Sequence, residues 1–174
     1  MRYKLLIGAI GLLSLIGCKP KQPDYSAEIL KQAEEVRQGF ITGDFKLVLK
    51  HIYPSQITEA GGEAMMIERW TSAQTAMKQN GYNLIDIKLG KPTKVVHAGK
   101  ELHCLVQENI IMEKGGQLLD TESYLLGISQ DNGKLWYFID TYPLSMPTIK
   151  QILPHYNDSL VIPPKKETQV SPRK

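Results

Sequence analysis

The chain has 174 residues, 42% of them hydrophobic and 22% charged, and 21 Lys and Arg against 18 Asp and Glu give a formal charge of +3. That length suits one domain with appendages. A composition this close to the soluble average excludes collagen, a disulfide scaffold, a multi-span membrane protein and a wholly disordered chain.

The positive charge sits at the ends. Residues 24–162 carry 13 basic and 17 acidic side chains, a net −4, with no basic stripe interleaved with aromatics. This argues against nucleic acid as a partner. At the amino end, Arg2 and Lys4 precede an apolar run from Leu5 to Ile16. A dozen residues fall short of the ~30 Å hydrocarbon core but have the length of a secretory signal's central region. The run ends in Leu15-Ile16-Gly17-Cys18, which resembles the lipobox of bacterial lipoproteins. The resemblance implies a signal over residues 1–17, diacylglycerol on the Cys18 thiol and acylation of Cys18 as the new first residue. An uncleaved anchor, or an ordinary signal with a chance cysteine, is the plainer alternative. Buried acyl methylenes contribute ~0.8 kcal/mol each, so two or three chains hold a protein on a membrane almost permanently. Residues 18–25, polar and with two prolines, read as a tether. The expected location is the bacterial envelope, on the outer membrane facing the periplasm.

Helices come first in the predicted domain, residues 26–160. Ile29, Leu30, Ala33, Val36 and Phe40 form a helical stripe closed by Gly43. Asp44 caps a second helix over Phe45 to Ile52, ended by Pro54. A third runs from about Gly62 to Gln79, with Met66, Ile67, Trp70, Ala73 and Met77 repeating at three and four, and stops at Asn80-Gly81. Strand patterns follow at Tyr82–Leu89, Thr93–His97, Leu102–Met112, Leu118–Ser129 and Leu135–Tyr142. Gly99, Gly115-Gly116 and Asn132-Gly133 punctuate them as hairpins, so consecutive strands are expected to be antiparallel neighbours. The order predicts an α+β fold, three N-terminal helices on one face of a curved antiparallel sheet. Thr148 to Asn157 adds a short helix or turn, and residues 161–174 read as a disordered basic tail.

Three helices with the Gly43-Asp44-Phe45 break, then a meander, resemble the nuclear-transport-factor-2-like superfamily. The stretch from Asp131 to Asp140 resembles a sheet-closing hairpin of uncharacterised Bacteroides-type envelope lipoproteins. The likeness covers about Ser26 to Thr141 and implies a cone whose helices and bent sheet enclose a pocket. Members of that superfamily range from isomerases and dehydratases to non-catalytic binding modules, so the fold does not decide function.

Catalytic signatures are absent: no phosphate loop, no His-Glu-x-x-His, no paired Cys-x-x-Cys and no Gly-x-Ser-x-Gly. Neither a metal nor a cofactor is expected, since no two of His51, His97, His103 and His155 lie at the three- or four-residue helical spacing that sets two on one metal; a site composed from their four separate elements is the alternative. With Cys18 acylated, Cys104 is alone, and its place in a strand-like run suits a small buried apolar residue better than a reactive thiol. The resemblance implies acid/base residues on inner strand or helix positions. Candidates are His103, Asp86 and Tyr124, with Asp120, Glu122 and Asp140 behind them. Asp86 shares its strand face with Lys88 and reads as solvated or ion-paired, and His103 as a satisfied, half-buried histidine. The aromatic residues read first as core, with a small apolar pocket about Met66, Trp70, Gln107 and Trp136 as the alternative. The leading expectation is a non-catalytic, lipid-anchored module that binds a small apolar ligand or an envelope protein. A small isomerase, dehydratase or hydrolase is the second.

Overall fold

Helices gather at the front of the chain and strands behind them in the computed structural model, which describes residues 23–173 and has a mixed α+β fold. The signal segment, Cys18 and most of the tether lie outside the described residues. Helix α1 spans Ser26–Thr42 and ends where Gly43 takes the left-handed conformation. The Asp44 carboxylate accepts a hydrogen bond from the Leu47 N–H and opens α2, Phe45–Leu49. Helix α3, Pro54–Glu59, is a correction to the sequence reading, which expects only three helices before the sheet. Proline at the first helical position lacks the N–H that would be orphaned there anyway, so Pro54 starts a helix as well as ending the preceding segment. Helix α4 spans Glu63–Gln79.

The strands are β1 (Asn83–Pro92), β2 (Val96–Ala98), β3 (Glu101–Lys114), β4 (Gln117–Ser129) and β5 (Tyr137–Asp140). Short helix α5 (Met146–Ile152) and strand β6 (Gln169–Pro172) complete the chain. The ladders are antiparallel and the sheet runs β1-β3-β4-β5. The long β3–β4 hairpin pairs Leu102 with Ser129 and, at its tip, Lys114 with Gln117. One connection departs from a simple meander: β1 and β2 both pair with β3, one after the other along its length. Strand β6 forms in the segment from which the sequence predicts no regular structure, pairing with Gln117 to Asp120 of β4. Backbone pairing at a free sheet edge requires no apolar periodicity, so nothing in the side-chain pattern announces it.

Both faces of the sheet are buried. On one, Ile29, Ala33 and Val36 of α1 and Phe45 and Val48 of α2 pack with Cys104, Val106, Leu125, Trp136 and Phe138. On the other, Leu105, Leu126, Ile128 and Ile139 are covered by Ile149, Leu153, Tyr156 and Leu160. The expectation of one wet face fails here, because α5 and the chain after it fold back over the sheet.

Polar side chains, Gln32 buried and Arg37 half-buried, fasten α1 to the sheet. Gln32 donates to the Lys134 carbonyl at 2.8 Å and accepts from the Trp136 N–H at 2.8 Å, occupying the place of a partner strand. Arg37 donates to the Ile87 carbonyl and pairs with Asp86 and Glu34.

Candidate functional site

Strand β3 turns alternate residues toward the helices: Leu102, Cys104 and Val106 pack in that core, and Glu108, Ile110 and Met112 continue the same parity. Where the series passes beyond α2, a cavity of about 370 Å³ opens between the sheet, α1 and α4. Its walls are apolar and aromatic: Phe40 from α1, Phe45 from α2, Trp70 and Met77 from α4, and Leu84, Ile87, Ile110, Met112 and Leu125 from the strands. Trp70 stands 5.6 Å, ring centre to ring centre, from both Phe40 and Phe45. Helix α4 contributes no fully buried residue, so it closes the cavity as a lightly held wall.

A bulge in β1 shapes this wall. Between Leu84 and Asp86 the register shifts, Ile85 is pushed to the outside at 42% exposure, and Leu84 joins Ile87 and Leu89 on the pocket side. Simple alternation from the sequence places Ile85 with Ile87 and leaves Leu84 opposite; the bulge corrects it.

One charged side chain stands among these apolar groups. Glu108 is only 5% exposed, lines the cavity and has no ion-pair partner among the described residues. Directly across the ladder from it is Ser123, whose hydroxyl donates to Asp140 at 3.0 Å. Asp140 lines the same cavity. Burial, then the neighbouring Asp140 carboxylate, push the Glu108 carboxyl up to about 8, against a smaller opposing effect of the Ser123 hydrogen bond. At neutral pH Glu108 is mainly the uncharged acid. A pocket of this kind, mostly apolar with a few converging polar groups and a perturbed acid, is the usual form of a small-ligand site.

The sequence-derived candidates are spread over several places. Trp70 lines the cavity; Met66, Gln107 and Trp136 do not. Trp136 is wholly buried, its indole N–H donating to the Gly133 carbonyl, and Gln107 lies on the opposite strand parity and bonds Asn109. Asp86 pairs with Arg37 at the margin of α1, and the Arg37 hydrogen bond holds its carboxyl below the usual range. Tyr124 donates to Glu122, beside Lys166, on a different and smaller hollow. Asp120 accepts from Asn109. His103 is fully buried on the far face of the sheet, where Nε2 meets Glu101 at 3.0 Å and Nδ1 has no partner. Burial lowers its pKa despite the opposing effect of Glu101. His103, Asp86 and Tyr124 therefore share no pocket. Cys104 packs in the helix-side core, with burial raising its thiol to about 12.

Glu108 escaped the sequence reading, although a signal for it exists. Cys104, Val106, Ile110 and Met112 form an apolar alternation that Glu108 alone interrupts, and a lone carboxyl in the buried parity of a strand demands a reason.

Compared with protein-family models, curated proteins and solved structures, the chain shows no significant match. Fold and site together define it as an α+β domain with an apolar pocket, floored by two carboxyl groups.

Proposed function

We propose that this protein is a lipid-anchored envelope protein whose domain binds a small, largely apolar ligand without transforming it. The observation that carries the reading is the cavity of about 370 Å³ walled by α1, α4 and the sheet. Its size and apolar lining suit a compact hydrophobic molecule. The nuclear-transport-factor-2-like cone is part of the same proposal. Helices ahead of an antiparallel sheet, with a pocket between the two, support it. Acylation of Cys18 and an outer-membrane position rest on the lipobox resemblance. A simple test is Cys18→Ser, which should move the protein from the membrane fraction to the soluble fraction; unchanged membrane association overturns lipidation.

An acid/base enzyme is the second reading, favoured by one observation: Glu108 and Asp140 face a single cavity. Against it, the described residues that line that cavity include no serine, threonine, cysteine or histidine. Recovery of a bound ligand unaltered after long incubation separates binding from turnover.

Binding itself is tested with N-phenyl-1-naphthylamine, a neutral dye that brightens in apolar surroundings. The mature chain from residue 18, with Cys18→Ser, should bind it saturably at one site. Ala73→Trp, which places an indole in the cavity wall, should abolish that binding while leaving the circular dichroism spectrum unchanged. Absence of saturable binding, or indifference to Ala73→Trp, refutes the proposal.

A further inference from the structure

We infer that the pocket selects ligands with an apolar body and a cationic amine head, the head seated against Glu108 and Asp140. This rests on the pocket's being a binding site and goes further by naming the ligand class.

Neither Glu108 nor Asp140 has an ion-pair partner among the described residues, and Asp140 accepts hydrogen bonds from the Ser123 hydroxyl and the Tyr142 N–H. The other charged groups of the cavity wall are Arg37 on α1 and Lys78 on α4; the remaining titratable group is Tyr82. Arg37 is spent on Asp86, Glu34 and the Ile87 carbonyl. Of these charges it is Asp140 that raises the Glu108 carboxyl, by repulsion. The apolar vault thus ends in two carboxyls without ion pairs among the described residues, Glu108 buried and Asp140 at the exposed margin. An anionic head, as in a fatty acid, sets a second negative charge beside Asp140 and is disfavoured there. A neutral hydroxyl can hydrogen-bond to the protonated Glu108 but gains no ion pair. An ammonium group pairs with Asp140, and with Glu108 once that carboxyl has lost its proton, and beside the buried Glu108 that attraction is stronger than at a surface. The aromatic faces of Trp70, Phe40 and Phe45 line the same cavity and tolerate a passing cation.

Proton balance follows. Below about pH 8 the free protein holds a proton on Glu108. When an alkylammonium ion enters, the Glu108 O–H bond breaks, the proton leaves to the buffer and the carboxylate pairs with the ammonium. No electron moves and no covalent bond forms to the ligand. Binding at pH 7 releases close to one proton, and affinity rises with pH until Glu108 is ionised in the free protein.

The probes are octylamine, octan-1-ol and octanoate, which share one chain and differ in head charge. Each is titrated calorimetrically into the mature Cys18→Ser chain at pH 7, in phosphate and in Tris, whose different heats of ionisation report the proton count. Octylamine should bind at least tenfold more tightly than octanol and a hundredfold more tightly than octanoate, with release of nearly one proton. Glu108→Gln should cost octylamine tenfold or more and abolish proton release, while octanol binding stays within about twofold. Asp140→Asn should weaken octylamine in the same direction. Equal affinities for octylamine and octanol, or amine selectivity that survives Glu108→Gln, overturns the amine proposal and leaves an apolar binding site standing. If none of the three binds, both this inference and the binding function fall.

Discussion

Glu108 stores a cost that a purely structural residue would not impose. Its carboxyl is raised from the ordinary 4.5 to about 8, so between these values the folded chain holds a proton that the unfolded chain releases. Its contribution to stability is fully present below pH 4.5 and is lost as the pH rises through 8. At pH 7 the loss is on the order of 3 kcal/mol. Glu108→Gln, isosteric with the neutral acid, should therefore raise the melting temperature at pH 7 to 8 and converge on the parent near pH 4. A variant less stable than the parent at pH 8 would show that the carboxylate is stabilised by something other than its surroundings here. Gly127 presents the opposite case. A Cβ there would lie 2.8 Å from the Cys104 sulfur and 3.5 Å from the rings of Phe138 and Trp136. Gly127→Ala forces overpacking in the helix-side core and should cost about 1–3 kcal/mol, read as a lower urea midpoint at unchanged slope. Neither residue's role is written in its immediate neighbours. Glu108 sits in a visible parity, but Gly127 is constrained by side chains from strands β3 and β5 and by Trp136, contacts made only on folding.

Among the elements, the sheet is the most legible and the attachment of helices to it the least. Hairpin punctuation at Gly99, Gly115-Gly116 and Asn132-Gly133 marks the real turns, each with positive φ at glycine, because that backbone conformation is costly for other residues. The bulge at Ile85 and the joint pairing of β1 and β2 with β3 have no comparable mark, since both depend on which partner residue meets which. Docking of α1 is similarly hidden. Gln32 looks like a surface residue in its helix, yet it satisfies the Lys134 carbonyl and the Trp136 N–H at once. Gln32→Leu leaves both peptide groups buried and unpaired and should destabilise by about 2–4 kcal/mol, measured by chemical denaturation. Gln32→Glu keeps an acceptor for Trp136 N–H but loses the donor, and should fall between the two. Helix α4 is lightly held: it has no fully buried residue, and Trp70 packs it against Phe40 and Phe45. Its amide hydrogens should exchange well before those of β3 and β4, and slow when the cavity is filled. Equal protection of α4 and β3 in the empty protein would show that α4 is not a lightly held wall.

At the scale of the whole molecule, two cores share one sheet, and they bear different loads. The helix-side core carries the cavity, while the opposite core depends on the chain after β5. Alternation in β3 and β4 suggests a sheet with one apolar face, and the cover of the second face carries only a short signal: Ile149, Leu153, Tyr156 and Leu160 recur at four, three and four, a helical spacing that Pro154 cuts off just after α5. Asn157 ties the covering to the sheet by donating to the His97 carbonyl, and within the covering the Tyr156 hydroxyl donates to the Leu160 carbonyl. Beneath it lies His103, fully buried, its Nδ1 unpartnered and its pKa lowered by burial. The sign of the consequence is set by that direction. Unfolded or uncovered, His103 takes up a proton as the pH falls through about 6.5; in the closed fold it resists, so acid favours release of the cover. Removal of residues 164–174 deletes β6, an exposed edge strand, and should leave melting at pH 7 nearly unchanged. Removal of residues 146–174 uncovers Leu105, Leu126, Ile128 and Ile139 together and should abolish soluble expression. Between these extremes lies the sharper experiment. Limited proteolysis at pH 5 should cut the segment around 154–162 faster than at pH 7, and His103→Gln, which cannot take the proton, should erase that difference. Cleavage with the same pH dependence in His103→Gln would place the acid sensitivity elsewhere and leave the second core a static support for the first.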